Sequence, residues 1–227
     1  MAKKNIVLLM GFINEILNKE GTLFTLQIRK NDNKFVFPII ELTDDTYGIK
    51  DDIEVGNLIS IVGKVKTTQK ELKYPCPNCS EHITNKYIFT TITADKAFLL
   101  SSSTNEPFIN KVVLLGTVCK EKEFKYIKGT RSPVGNTKYQ MGVNRREPDK
   151  SDYPWITTFA KQAEEDAKRL NVGSQILVDG TINTRINQKD CTCAYCGESI
   201  TIQEPHTEIL GITVEYLNNC LFEKNEQ

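Results

Sequence analysis

Two cysteine pairs carry the most specific chemistry in this chain: Tyr74-Pro75-Cys76-Pro77-Asn78-Cys79 and Cys193-Ala194-Tyr195-Cys196-Gly197. Two thiolates two residues apart can grip one metal ion, and the Pro or Gly beside them shapes the turn that aims the sulfurs. Structural zinc takes four ligands, so each pair supplies half a site. Three completions are open. The two pairs share one zinc through Cys76, Cys79, Cys193 and Cys196; or the second segment closes its own site with Cys191, Cys193, Cys196 and His206; or the first uses Cys76, Cys79 and His82 and lacks a fourth ligand. Degenerate pairs of buried thiols are the plain alternative. A thioredoxin-like redox site fits poorly, because no helix opens at either pair. Cysteine usage is odd, seven in all with four in Cys-x-x-Cys pairs, which in a reducing compartment favours structural zinc over disulfides. The two histidines, with no carboxylate motif and no Gly-rich phosphate loop, offer no nucleophile–base pair, so the chain is expected not to be an enzyme.

The elements that must position these cysteines occur twice. Asn5-Ile6-Val7-Leu8-Leu9-Met10-Gly11 returns as Asn110-Lys111-Val112-Val113-Leu114-Leu115-Gly116, and Val55-Gly56-Asn57-Leu58-Ile59-Ser60 returns as Val172-Gly173-Ser174-Gln175-Ile176-Leu177. A cysteine pair follows the second block in each copy at equal spacing, as 76 − 56 = 193 − 173 = 20. Repetition of ordered blocks means a duplicated domain, expected at residues 1–105 and 106–227. In the first copy, residues 4–12, 22–29, 34–40, 58–67 and 87–93 read as strands, with a polar stretch at 44–54 that has room for a turn of helix. In the second, Tyr139, Met141 and Val143 alternate with Lys138, Gln140 and Asn144. Residues 153–160 alternate as well, and Ala163, Ala167 and Leu170 fall at helical spacing. The predicted fold is mainly β: two tandem OB-folds (five-stranded Greek-key barrels) with a short helix in the second copy. Each carries a small zinc-knuckle-like insert between strands four and five.

The second copy resembles the bacterial and phage single-stranded-DNA-binding protein family of the SSB/PriB type. The resemblance rests on Tyr139-Gln140-Met141-Gly142-Val143-Asn144-Arg145-Arg146, on Trp155-Ile156-Thr157-Thr158-Phe159-Ala160-Lys161-Gln162, and on Gly173-Ser174-Gln175-Ile176-Leu177-Val178-Asp179-Gly180-Thr181-Ile182-Asn183-Thr184-Arg185. It covers about residues 111–185, and the first copy inherits it through the repeat. Two departures are visible. Such proteins usually end in a disordered tail with an acidic tip, whereas this chain ends Glu223-Lys224-Asn225-Glu226-Gln227; and they usually lack cysteine pairs.

The resemblance implies sequence-tolerant binding of single-stranded DNA in replication, recombination or transfer, by stacking on aromatics and phosphate contacts from Lys and Arg. It places Trp155, Thr157 and Phe159 on the binding face, joined by Tyr153, and Asn144, Arg145 and Arg146 on a phosphate-contacting hairpin. Lys128, Arg131, Lys138 and Arg185 are further candidates there. In the first copy the candidates are Lys34, Phe35 and Phe37, of which at least one aromatic is expected in the core. Lys64, Lys66, Lys73 and Tyr74 run toward the first cysteine pair, where they would lengthen the path of the strand. Each has a plain alternative: core packing for Trp155 and Phe159, a solvated charged face for the arginines and lysines. RNA is a competing ligand, since OB-folds bind both. A dimer would bring four OB domains together, and replication proteins are candidate partners. An adaptor between proteins, with weak nucleic-acid affinity, is the second reading. It is favoured by charge, because Lys+Arg and Asp+Glu both number 29 and the net charge is zero. No apolar run reaches the roughly 18 residues of a membrane span, and the chain reads as cytoplasmic.

Overall fold

The structure, a computed structural model, describes residues 4–31, 34–101, 108–129, 132–145 and 150–218. The first copy forms β1 (Lys4–Ile16), β2 (Leu23–Asn31), β3 (Lys34–Val36), β4 (Ile39–Leu42), a 3₁₀ helix (Asp44–Asp52), β5 (Leu58–Pro75) and β6 (His82–Leu100). The second forms β7 (Ile109–Val118), β8 (Glu123–Ile127), β9 (Val134–Asn144), β10 (Ser151–Asp152), β11 (Trp155–Phe159), α1 (Ala160–Arg169), β12 (Gln175–Thr192) and β13 (Ser199–Asn218). Residues 102–107, around the expected junction of the copies, lie outside the described residues.

Each copy closes a five-stranded barrel by the same circuit. β1 pairs with β2, β2 with β4, β4 with β6 in parallel, β6 with β5, and β5 returns to β1. In the second copy the circuit is β7–β9–β11–β13–β12–β7, again with one parallel pair, β11–β13. This is the OB topology. Alternation supplies the cores. Phe24, Leu26 and Ile28 are fully buried on β2, as are Tyr139 and Met141, with Val143 close behind, on β9. A proline interrupts both copies at the same place, because it lacks the N–H a central strand needs: Phe37-Pro38 breaks the expected strand 34–40, and Tyr153-Pro154 delays the start of the expected strand 153–160 to Trp155. Helix α1 buries Ala163, and Leu170 caps its end; Asp166 is buried too. That carboxylate accepts from Thr158 Oγ1 at 2.7 Å, Gln162 Nε2 at 2.9 Å and Tyr216 Oη at 2.5 Å.

The barrels join through β1 and β7, which pair antiparallel from Lys4↔Leu115 to Met10↔Ile109. Val7 lies opposite Val112, its own counterpart in the repeat, so the pairing creates a local two-fold axis. The buried side chains of both copies form one continuous core. The repeated asparagine has the same task in each copy. Asn5 Nδ2 donates to Val65 O and Asn5 Oδ1 accepts from Val65 N, both at 2.9 Å; Asn110 does the same with Ile182 at 2.9 and 2.8 Å.

Strands β5–β6 and β12–β13 run past the barrels as two-stranded ribbons, paired from Leu58↔Leu100 to Pro75↔His82 and from Gln175↔Asn218 to Thr192↔Ser199. The cysteine pairs are therefore ribbon tips. The strand predicted to stop at residue 67 continues to 75, and its counterpart in the second copy runs to 192. Among the described residues no helix is long and apolar enough to cross a membrane.

Gly180 sits at the irregularity where β12 leaves the barrel, and a Cβ there would land on the carbonyl oxygen of Leu210. Gly180→Ala is expected to destabilise the protein by about 1–3 kcal/mol. Gly48→Ala, which meets nothing within 4 Å, is expected to leave the urea midpoint unchanged. Equal midpoints for the two variants would refute the close packing at Gly180.

Candidate metal centre and nucleic-acid interface

The two ribbon tips are built alike. Cys76 N donates to Glu81 O and Cys193 N to Glu198 O, each at 2.7 Å. The residue after each second cysteine takes a left-handed backbone, Ser80 at φ 64° and Gly197 at φ 77°. The tips meet. Cys76 Sγ lies 3.6 Å from Cys196 Sγ, and Cys79 Sγ lies 3.7 Å from Cys193 Sγ. All four sulfurs fall within 4.8 Å of one another. These two contacts are counterparts under the repeat, so the cluster straddles the local two-fold axis. Four soft sulfur donors suit a tetrahedral metal. A Zn–S bond of about 2.3 Å sets sulfurs about 3.8 Å apart in a tetrahedron, and the two shortest separations here come close to that.

Of the three completions left open, the structure brings together the shared set of Cys76, Cys79, Cys193 and Cys196. Cys191 packs beside the cluster with Ile200 and is not part of it. His206 points elsewhere, its Nε2 3.6 Å from Glu208. His82 is exposed and likewise outside the cluster. Ile83 completes a small apolar core under the tips. Backbone N–H groups of Cys196 and Tyr195 pull the Cys193 thiol down to about 7. The Glu81 backbone opposes the shift at Cys79, but burial and the thiols of Cys196, Cys76 and Cys193 push it up to about 12. Four crowded sulfurs cannot all ionise without a cation among them. Beside the tips, Asn85 is buried, donates to Glu204 and accepts from Lys189 Nζ at 2.7 Å, tying ribbon to ribbon.

The binding-face candidates divide. On β11, Trp155 is half-buried, with Lys138 Nζ 4.7 Å and Lys120 Nζ 5.4 Å from its ring centroid. Burial lowers the Lys138 amine from its ordinary value. Phe159 is 39% exposed at the start of α1, and Tyr153 is 44% exposed. Thr157 is buried, its hydroxyl donating to Glu208 Oε2 at 2.8 Å, so it offers no open surface. Phe35 and Phe37 flank buried Val36, and both are exposed, against the expectation that one is core. Lys34, Lys73 and Lys128 are exposed and Tyr74 is half-buried. Lys64 pairs with Asp95 at 2.6 Å and Lys66 with Glu41 at 2.9 Å, so part of the lysine stripe is already neutralised. Arg131 and Arg146 lie outside the described residues.

Arg145 is committed elsewhere. Its guanidinium forks onto Asp152, Nε to Oδ2 at 2.9 Å and NH2 to Oδ1 at 2.7 Å, and NH2 reaches Thr67 O at 3.3 Å. This belongs to a reciprocal clasp between the copies. Tyr153 N donates to Thr67 Oγ1 at 2.7 Å, and its counterpart Phe37 N donates to Thr184 Oγ1 at 2.8 Å. Thr67 N donates to Asp152 Oδ1 at 2.7 Å, while Lys30 Nζ reaches Asn183 Oδ1 at 3.1 Å. Asn144 accepts from Ser151 Oγ at 2.9 Å and stays exposed. Sequence reasoning missed Lys120 and Glu208. No local pattern marks them, since each gains meaning from strands far away in the chain.

Glu208 is a buried carboxylate beneath this face. It accepts from Thr157, from Asn183 Nδ2 at 3.1 Å and from Arg185 NH2 at 3.3 Å, with His206 alongside. Burial alone would push the carboxyl up. The His206 and Arg185 interactions, then Thr157 and Asn183, outweigh it and hold the group down at about 2. A depressed folded value stabilises the protein above the unfolded value of 4.5, and that stability is lost as pH falls toward about 2. Wild-type stability in urea melts is therefore expected to drop by about 3 kcal/mol through this group across that window. Glu208→Gln should flatten the acid-side slope; an unchanged slope would refute the network.

The comparisons with known proteins agree with this architecture. The family model described as Single-strand binding protein family matches residues 109–195. Single-stranded DNA-binding protein 3 of Clostridium acetobutylicum is 34% identical over 97 residues, 40% of this chain and 66% of that protein, so the chain spans just under two thirds of it. Single-stranded DNA-binding protein 2 of the same organism is 33% identical over 97 residues, 40% of this chain and 71% of that protein. Among solved structures, wild-type single-stranded DNA binding protein from Thermus aquaticus superposes with a TM-score of 0.65 at 14% identity, covering 96% of this chain and 95% of that one. That likeness shows a shared fold over both copies, and the matched relatives fix the lineage: this chain belongs to the single-strand binding protein family.

Proposed function

We propose that this chain binds single-stranded DNA with little regard to sequence and acts without catalysis in replication, recombination or transfer, in the cytoplasm. Residues 1–105 and 106–227 are its two OB units. The observation that carries this reading is the Trp155 ring under Lys138 and Lys120, an aromatic surface bordered by cations on an open barrel face. Stacking of one base on such a ring contributes roughly 1–3 kcal/mol, and the lysines meet the phosphates on either side. Phe159 and Tyr153 extend the surface, and both are exposed. Relatives named as single-stranded DNA-binding proteins support the reading. The zero net charge suits a local basic groove rather than a basic body.

Trp155 is the one tryptophan in the chain. Titration with oligo-dT is expected to quench its fluorescence, with affinity falling as salt rises. Oligo-rU in parallel ranks RNA, and duplex DNA should leave the signal unchanged. Absence of binding by labelled oligo-dT would overturn the proposal and favour the adaptor reading.

We further propose that Cys76, Cys79, Cys193 and Cys196 hold one structural zinc shared by the two copies. Four thiolates around such an ion would fasten the ribbon tips and neutralise the crowding of the sulfurs. The expected metal content is one zinc per chain. Cys76→Ser and Cys196→Ser should lose it, whereas Cys191→Ser and His206→Gln should keep it. Loss in the second pair of variants would restore the site confined to one segment.

A further inference from the structure

We propose that the single strand leaves the Trp155 face across a cleft built by both copies and is stacked there on Tyr87. This rests on the proposed binding of single-stranded DNA and adds the path that the strand takes. The cleft has a volume of ≈ 510 Å³ and lies between the first copy's ribbon, at Thr68, Gln69, Lys86 and Tyr87, and the second copy's Lys120 and Tyr153. It falls in the range of about 300–1,000 Å³ that small-ligand clefts occupy. Lys120 is the link, because it lines the cleft and also sits over the Trp155 ring at 5.4 Å. Beyond Tyr87 the ribbon continues the same chemistry. Tyr87 meets Phe89 edge-on with centroids 6.3 Å apart, and Lys70 Nζ lies 3.6 Å from the Phe89 centroid. Lys86 faces Glu71 at 3.7 Å in a solvent-exposed pair, a contact weak enough to exchange for phosphate. Aromatic rings interleaved with lysines are what a sequence-tolerant strand path requires.

The repeat supplies an internal comparison. Across the local two-fold axis Lys86, Tyr87, Ile88, Phe89 and Lys70 are replaced by Gln203, Glu204, Pro205, His206 and Asn187. A carboxylate stands where Tyr87 would be, and the lysines at 86 and 70 become neutral; the cations at the mirror junction, Arg185 in place of Thr68 and Lys30, are engaged by Glu208 and Asn183. The two junctions share backbone architecture and differ in side-chain chemistry, so the strand crosses at the first ribbon and not at its mirror image.

The test uses the full chain. Oligo-dT bearing 5-iododeoxyuridine is photo-crosslinked and the adduct mapped by mass spectrometry, with anisotropy titrations of Tyr87→Ala, Lys86→Ala and Gln203→Ala alongside. Crosslinks at Tyr87 or Phe89 are expected. Tyr87→Ala should weaken binding at least roughly five-fold, Lys86→Ala should lower the salt slope by about one, and Gln203→Ala should bind as wild type. If wild type binds and quenches Trp155, yet neither crosslink appears and both cleft variants match wild type, the cleft is not the path and the proposed function survives. If wild type does not bind at all, both proposals fall. If Tyr87→Ala does not fold by circular dichroism, the crosslink map and Lys86→Ala decide.

Discussion

The antiparallel pairing of β1 with β7 governs the rest of the molecule. Val7 lies opposite Val112, its counterpart in the repeat, and the register extends over seven residue pairs. A two-fold relation set at that one ladder propagates outward through β5 and β12, which hydrogen-bond to β1 and β7. It brings the ribbon tips together as two equivalent sulfur pairs, and it makes the clasp of Tyr153 on Thr67 and of Phe37 on Thr184 reciprocal. A shift of one residue in that ladder would turn every inward side chain of both strands outward. The continuous core through both barrels makes such a shift costly.

Within this symmetric frame the copies have diverged in two ways, by exchanging roles and by losing them. In the second copy Thr157 on β11 donates to Glu208 on β13. In the first, the carboxylate is Glu41 on β4 and the hydroxyl is Thr91 on β6, with Lys66 completing the pair. Either strand can carry the acid, because each carboxylate finds its donors in the barrel wall, Glu208 buried there and Glu41 partly open to solvent. The clasp diverges by loss. Asp152 forks Arg145 and receives Thr67 N in the second copy, while its counterpart Val36 is buried and apolar in the first.

The limits of legibility follow from sequence distance. Alternation on β9, the helical spacing of Ala163 and Leu170, and the repeated blocks are local patterns, and the structure has strands, helix and barrels there. Arg145 reads as a phosphate-contacting hairpin cation; its fork onto Asp152 lies only seven residues on, but the strand that this pair clasps, at Thr67, is 78 residues earlier. Phe35 and Phe37 alternate around Val36, yet no pattern says which face the barrel buries. Thr157 shares a side of β11 with Trp155 and Phe159, but its closure by Glu208 depends on the parallel neighbour β13. The cysteine completions stayed open for the same reason, since Cys76 and Cys196 are 120 residues apart.

By itself the sequence determined what repetition and periodicity can determine: a repeated β unit, the order of its strands, which residues share a face of a strand, and two half-sites of thiols. Those are consequences of side-chain chemistry at short range, where the pleat and the helical turn translate spacing directly into a face. Only the tertiary structure decided which half-sites meet, which lysines are already paired, and which of two equivalent junctions holds the cleft lined by Tyr87, Lys86 and Lys120. Those outcomes depend on the approach of segments more than a hundred residues apart, which the β1–β7 ladder sets and no local pattern records.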